Sequence, residues 1–247
     1  RGLIQSTRSA SVRMSDTSNP SKQGHDRRRG GLRGSDRNQP SNPPVVIVNV
    51  CGTTVDEYAE VSRILSVAEG VAAIELNISC PNVADGLIFG CNATLAHRLV
   101  TRVRRATRLP LIPKLSPNVT DVAEIARALA EGGADALSLI NTLIGMAIDV
   151  RSRRPRLGNV TGGLSGPAIR PIAVRMVWEV ARAVNLPLIG MGGIMTADDA
   201  LEFLIAGATA VAVGTANFTS PGSATRIIDG IEAYLIGHKV KRVTDLI

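Results

Sequence analysis

At 247 residues, 45% hydrophobic and 20% charged, the chain has globular composition and enough length for a sizeable core, and it contains no uninterrupted apolar run of the roughly 18 residues that a membrane-spanning helix needs. Its net charge of +7 would suggest a nucleic-acid partner only if the charge lay on the folded part. Residues 1–44 carry nine Arg or Lys against three Asp, whereas the remaining 203 residues hold 19 basic and 18 acidic side chains, so the folded part is nearly neutral and is not read as a nucleic-acid binder.

Residues 1–44 are rich in Ser, Arg, Gly, Asp and Asn and show no apolar period, which predicts a disordered basic tail ahead of a folded unit over residues 45–247. The run Arg27-Arg28-Arg29-Gly30-Gly31-Leu32-Arg33 could serve as a phosphate-binding arm. No aromatic side chain interleaves it to stack on bases, and charge runs are more often simply solvated. Cys51, Cys80 and Cys91 form no CxxC pair, and His25, His97 and His238 stand at no ligand spacing from them, so no metal site is expected. With no secretory h-region at the start, the setting expected is reducing and cytoplasmic.

From Pro44 onward short apolar runs alternate with amphipathic stretches. Strands are predicted over 45–50, 73–79, 111–115, 136–141, 186–191 and 210–214. Thr120-Asp121 opens one intervening helix with a capping side chain, and Gly132-Gly133 ends it. Thr196-Ala197-Asp198-Asp199 opens another that stops at Gly207. This alternation predicts an α/β fold with a parallel sheet, buried on both faces. Small or chemically useful residues close each strand: Asn77, Lys114, Asn141 with Thr142, Gly192 with Gly193, and Gly214 with Thr215. No GxGxxG follows the first strand, which argues against a dinucleotide-binding doubly wound sheet and for a TIM (β/α)8 barrel, whose strand ends meet at one mouth. Six βα units are visible, so the barrel is expected to be incomplete, lacking its first two strands.

Period-two alternation within residues 74–79 puts Ile74, Leu76 and Ile78 on one face and Asn77 with Ser79 on the other. Cys80 follows as the strand exits, and a thiol there can act as a base if its pKa falls; a small buried cysteine is the plainer reading, kept for Cys51 and Cys91. Lys114 is the charged residue of an apolar run and needs an anionic partner, either a bound ligand or none at all if it snorkels to solvent. Gly190-Met191-Gly192-Gly193 and Val213-Gly214-Thr215 end the last two strands, where barrels place phosphate sites. On that reading a branched side chain at Gly193 should block the phosphate and spare the fold.

Five motifs in order, Glu75-Leu76-Asn77-Ile78-Ser79-Cys80-Pro81-Asn82-Val83, Lys114-Leu115-Ser116-Pro117-Asn118-Val119, Leu139-Ile140-Asn141-Thr142-Leu143, Thr161-Gly162-Gly163-Leu164-Ser165-Gly166-Pro167 and Gly190-Met191-Gly192-Gly193, resemble dihydroorotate dehydrogenases, above all the NAD-linked class 1B catalytic subunit. The resemblance covers about residues 44–234. It implies oxidation of dihydroorotate to orotate with FMN in pyrimidine synthesis, with Cys80 as the general base. Asn77, Asn141 and Thr142 would bind substrate, while Asn77, Lys114, Ile140, Gly166, Gly192, Gly193, Gly214 and Thr215 would bind FMN. It also implies an FAD and iron-sulfur partner subunit that relays electrons to NAD within a heterotetramer. Against the family pattern, an early flavin-binding Ser, a substrate-binding Lys and an Asn-rich loop are not found in residues 1–44, and Pro113 falls inside a strand. The expected origin of the unrelated tail is a truncated or frameshifted gene product. Two other readings stand beside this one: an inactive fragment of that enzyme, and another FMN barrel that acts on pyrimidines, similar to dihydropyrimidine dehydrogenase.

Overall fold

The computed structural model describes residues 4–5, 44–79 and 86–247. In chain order they form β1 (Ile4–Gln5), β2 (Val46–Val50), α1 (Val55–Leu65), β3 (Val71–Asn77), α2 (Gly86–Cys91), α3 (Ala93–Arg104), β4 (Leu111–Leu115), α4 (Val122–Glu131) and β5 (Leu137–Leu139). A non-helical excursion follows, built from β6 (Leu143–Gly145), β7 (Ile148–Asp149), β8 (Arg154–Pro155) and β9 (Gly162–Leu164), in which β6 pairs with β9 and β7 with β8, both antiparallel. The chain then resumes the βα alternation through α5 (Arg170–Ala183), β10 (Leu188–Met191), α6 (Ala197–Ile205), β11 (Ala210–Ala212), α7 (Ala216–Thr219) and α8 (Ser223–Gly237).

The main sheet runs β1-β2-β3-β4-β5-β10-β11. From β2 onward every pairing is parallel, and spatial order follows chain order with no reversal. A doubly wound sheet reverses its order at a switch point, so the topology is that of an arc of a barrel, six strands where a closed barrel takes eight. On its outer edge β2 pairs antiparallel with β1, Ile4 opposite Val50 and Gln5 opposite Asn49. At the far end β11 pairs only with β10 in the sheet order.

Side chains divide by strand parity. Val48, Val50, Ile74, Leu76, Leu111, Leu115, Leu137, Leu139 and Leu188 are buried in one core cluster with helix residues such as Leu99, Ile125, Val177 and Phe203. At roughly 1.5–3 kcal/mol for each fully buried large apolar side chain, this layer is the main source of stability. Gly190 belongs to it, because a Cβ there would lie 2.7 Å from the Phe203 ring. β4 runs straight through Pro113, which is buried opposite Leu76.

Two of the helices begin where the sequence places acceptors. The Asp121 carboxylate accepts from the Ala123 and Glu124 amides at the start of α4. Thr196 and Asp199 form a reciprocal capping box at the start of α6, and Gly207, at φ 115°, follows that helix in the left-handed region. Among the described residues no helix is long and apolar enough to cross a membrane.

Candidate active site

The opposite parity of the same strands supplies the polar residues. Register places Asn49 opposite Glu75, Asn77 opposite Lys114, and Lys114 opposite Ser138, so the inward residues of β2, β3, β4 and β5 form a continuous face. Glu75 lies at its centre. Its Oε2 accepts from Asn49 Nδ2 at 2.5 Å and lies 3.6 Å from Lys114 Nζ, while Oε1 accepts from Ser138 Oγ at 2.7 Å. Cys51 Sγ donates weakly to Asn49 Oδ1 at 3.8 Å. Lys114 therefore has an anion from its own sheet, a partner that the strand's apolar sequence did not disclose.

Nearer the strand ends, Asn141 Nδ2 donates to Asn77 Oδ1 at 2.9 Å and to Ser79 Oγ at 2.7 Å. The Asn77 carbonyl accepts from the buried Tyr58 hydroxyl at 2.6 Å, tying the end of β3 to α1. Thr142 follows directly, its amide donating to Asn141 Oδ1 at 2.8 Å. Asn118 links this corner to the loop after β4: its Nδ2 donates to the Thr142 carbonyl at 3.1 Å and its Oδ1 accepts from the Ile144 amide at 2.9 Å. The pair β6–β9 thus starts from a fixed point, and Gly163 leaves room for Thr142, whose Oγ1 a Cβ there would strike.

The glycines gather on the neighbouring strands. The Ile140 amide donates to the Met191 carbonyl at 3.0 Å, and its buried side chain faces Gly192, where a Cβ would lie 3.4 Å from Ile140 Cγ1. Gly166, Gly192 and Gly193 have φ of 96°, 130° and 78°, conformations that L side chains rarely adopt. A Cβ at Gly193 would stand 2.6 Å from the Gly166 carbonyl oxygen and 3.1 Å from Pro167 Cα. The two glycine loops therefore touch, and the expectation that a branched residue at Gly193 would spare the fold is corrected: the loop itself requires glycine. At Gly166 and Gly214, in contrast, an added Cβ would meet no atom within 4 Å, so open space lies beside both backbones. Gly214 and Thr215 follow β11 and lead into the short α7.

Behind these loops Arg170, the first residue of α5, pairs with Asp199 and, through Nε at 3.3 Å, with Glu202. Asp199 Oδ2 also accepts from the Met195 and Thr196 amides, each at 2.9 Å. One carboxylate thus ties the turn after Gly193 to the helix that follows Gly166.

Of the residues singled out from sequence, Asn77, Lys114, Ile140, Asn141, Thr142, Gly166, Gly192 and Gly193 come together at the C-terminal ends of adjoining strands, with Gly214 and Thr215 at the end of the next. Cys80, Asn82 and Val83 lie outside the described residues; Ser79, immediately before Cys80, is buried. Cys91 closes α2 and donates to the Asn118 carbonyl at 3.5 Å, and burial pushes its thiol pKa up. Asn49, Glu75 and Ser138 escaped the sequence reading. Continuing the alternation that selected Asn77 and Ser79 one step back would have found Glu75. Among the described residues no group of three His, Cys, Asp or Glu side chains is placed to hold a metal.

Comparison with known proteins bears on the family and the fold. The family profile described as "Dihydroorotate dehydrogenase" matches residues 21–235. A protein of Citrifermentans bemidjiense, "Dihydroorotate dehydrogenase B (NAD(+)), catalytic subunit", is 60% identical over 207 residues, covering 83% of this chain and 68% of its own length. One of the same name from Geobacter sulfurreducens is 60% identical over 203 residues, covering 82% and 67%. The chain thus spans about two thirds of the length of the curated relatives it matches. Among solved structures, a dihydroorotate dehydrogenase of Eimeria tenella crystallised with ferulenol superposes with a TM-score of 0.67 over 78% of this chain and 57% of that one, at 24% identity, a likeness of fold. With the family profile spanning most of its length and relatives at this identity, the chain belongs to the dihydroorotate dehydrogenase family.

Proposed function

We propose that this chain carries the pyrimidine-binding and flavin-binding mouth of an enzyme that oxidises dihydroorotate to orotate in pyrimidine synthesis, with FMN as the flavin. The observation that carries the proposal is the convergence of Asn77, Ser79 and Asn141 in one hydrogen-bonded corner, beside Lys114 and next to glycine turns with open space at Gly166 and Gly214. That open space fits a phosphate, since backbone amides without side chains can approach it closely. Lys114 suits the ring end of the flavin, where negative charge accumulates on reduction.

Bound FMN supplies a hydride acceptor for the hydrogen leaving C6 of dihydroorotate. The chain's own residues do the rest. Asn77, Asn141 and Thr142 present amide and hydroxyl groups that orient the pyrimidine ring by its carbonyl and N–H edges. Cys80, next along the chain from Ser79, takes the C5 proton on Sγ, and the electrons of that C–H bond become the C5=C6 double bond as the C6 hydride departs. A positioned base of this kind contributes about 10²–10⁴-fold. Ile140, buried against Gly192, gives the site an apolar wall that excludes water. The relatives are named catalytic subunits, a name that presupposes another subunit. The partner proposed here carries FAD and an iron-sulfur cluster, passes electrons to NAD, and joins this subunit in a cytoplasmic heterotetramer.

The experiment is a titration of the purified chain with FMN, followed by anaerobic addition of dihydroorotate or dihydrouracil. Bleaching of the flavin band by dihydroorotate, much faster than by dihydrouracil and lost in Cys80→Ala, is the expected result. Absence of flavin binding at saturating FMN, or preference for dihydrouracil, overturns the proposal.

A further inference from the structure

The charge at the centre of the inward face has a role beyond packing. Glu75 is the acidic residue around which the inward side chains of β2, β4 and β5 converge, and each of its oxygens is engaged. Four neighbouring strands hold it in place. The carboxylate cannot turn without losing either the Asn49 bond or the Ser138 bond, so the anion beside the Lys114 ammonium is held in place by the sheet. The pair is largely withdrawn from water, with Lys114 and Glu75 side chains 20% and 13% exposed, in a setting where an unpaired ammonium would be costly.

We propose that Glu75 is the positioning residue for Lys114: it holds the ammonium on the inner face and, as a fixed counter-charge, limits how strongly that ammonium favours a reduced over an oxidised flavin. The second half rests on the reading of Lys114 as a flavin neighbour; the first half does not. With Glu75 ionised, the ring meets a lysine whose charge is balanced from behind. Glu75→Gln keeps the shape and an oxygen that accepts from Asn49 or Ser138, but raises the local charge by one. A reduced ring gains negative charge, so the variant stabilises it more than the oxidised ring. At the separations of adjoining strand residues, one unit charge changes that preference on the order of tenfold or more.

Two measurements on the full chain test this. The first needs no flavin. The chain has four lysines, Lys22, Lys114, Lys239 and Lys241. Reductive methylation followed by peptide mass spectrometry gives the labelling rate of Lys114 against Lys239 and Lys241. In Glu75→Gln, Lys114 should label severalfold faster relative to those references, because the amine is no longer tied to an anion. An unchanged relative rate overturns the positioning role. The second measurement compares dissociation constants for oxidised FMN and dithionite-reduced FMN. Their ratio should move towards the reduced form by about tenfold in Glu75→Gln and in the opposite direction in Lys114→Met. A shift in Lys114→Met with none in Glu75→Gln overturns the counter-charge role. No shift in Lys114→Met, or no FMN bound by the parent, makes the flavin assignment of Lys114 the part that fails, and the methylation rates then decide the role of Glu75.

Discussion

Replacing Gly193 and Gly214 by alanine, one at a time, separates what the fold needs from what a phosphate needs. At Gly193 the backbone sits at φ 78°, which costs an L residue about 1–2 kcal/mol. The new methyl would also meet the Gly166 carbonyl oxygen at 2.6 Å, Arg170 Cβ at 3.0 Å and Pro167 Cα at 3.1 Å. None of these is the free end of a flexible side chain, so relief requires backbone movement, at about 1–3 kcal/mol. Lower entropy of the unfolded chain returns about 0.4–1 kcal/mol, leaving a net loss of roughly 2–4 kcal/mol. For a domain of this size that corresponds to a melting point lower by about 5–15 °C. At Gly214 the φ is ordinary and nothing lies within 4 Å of the added methyl, so stability should hold or rise slightly. If a phosphate rests there, the same methyl displaces it from the backbone amide, and the lost charged hydrogen bond weakens FMN binding by about tenfold or more. Circular dichroism melts and FMN titrations of both variants decide the matter. A Gly193→Ala protein that melts with its parent refutes the argument from the touching loops. A Gly214→Ala protein with parental FMN affinity removes the phosphate from the end of β11.

Tyr58→Phe should destabilise the chain by about 1–2 kcal/mol, because the Asn77 carbonyl loses a buried donor; a parental denaturant midpoint would show that this bond contributes nothing. Asp199→Ala removes the reciprocal half of the α6 capping box and leaves Arg170 with Glu202, at a cost of about 2–4 kcal/mol by urea unfolding, and an unaltered midpoint would refute the tie between the loops. Cys91, its thiol pKa pushed up by burial, should alkylate more slowly than a free peptide thiol at the same mildly alkaline pH, the gap narrowing as pH rises; a rate equal to that of glutathione would contradict this.

Much of the sheet was legible because both-face burial writes each strand as an apolar run. β4 falls on the predicted residues 111–115, and the capping signals at Asp121 and Thr196 mark helix starts within a residue. β3 begins earlier than its apolar run suggested, at Val71, and β5 ends earlier, at Leu139, where the chain turns to place Ile140 and Asn141 at the mouth. The pairs β6–β9 and β7–β8 left no signal, since strands of two or three residues carry no period. The same limit hid the electrostatics. Glu75 finds Ser138 63 residues away and Arg170 finds Asp199 29 residues away, partnerships that only the folded geometry creates.

Because spatial order in the sheet repeats chain order, each strand is laid against its predecessor, and no later segment has to thread between two earlier ones. Such a sheet can grow by accretion, one βα unit docking on the last, although each new parallel pairing must first close the loop through its crossover. It also means that a cut between units separates pieces whose mating surfaces are simple strand edges. The edge of β11, and that of β2 beyond the two residues of β1, are seams of this kind, where a matching βα piece expressed separately could be joined without unpicking anything already folded.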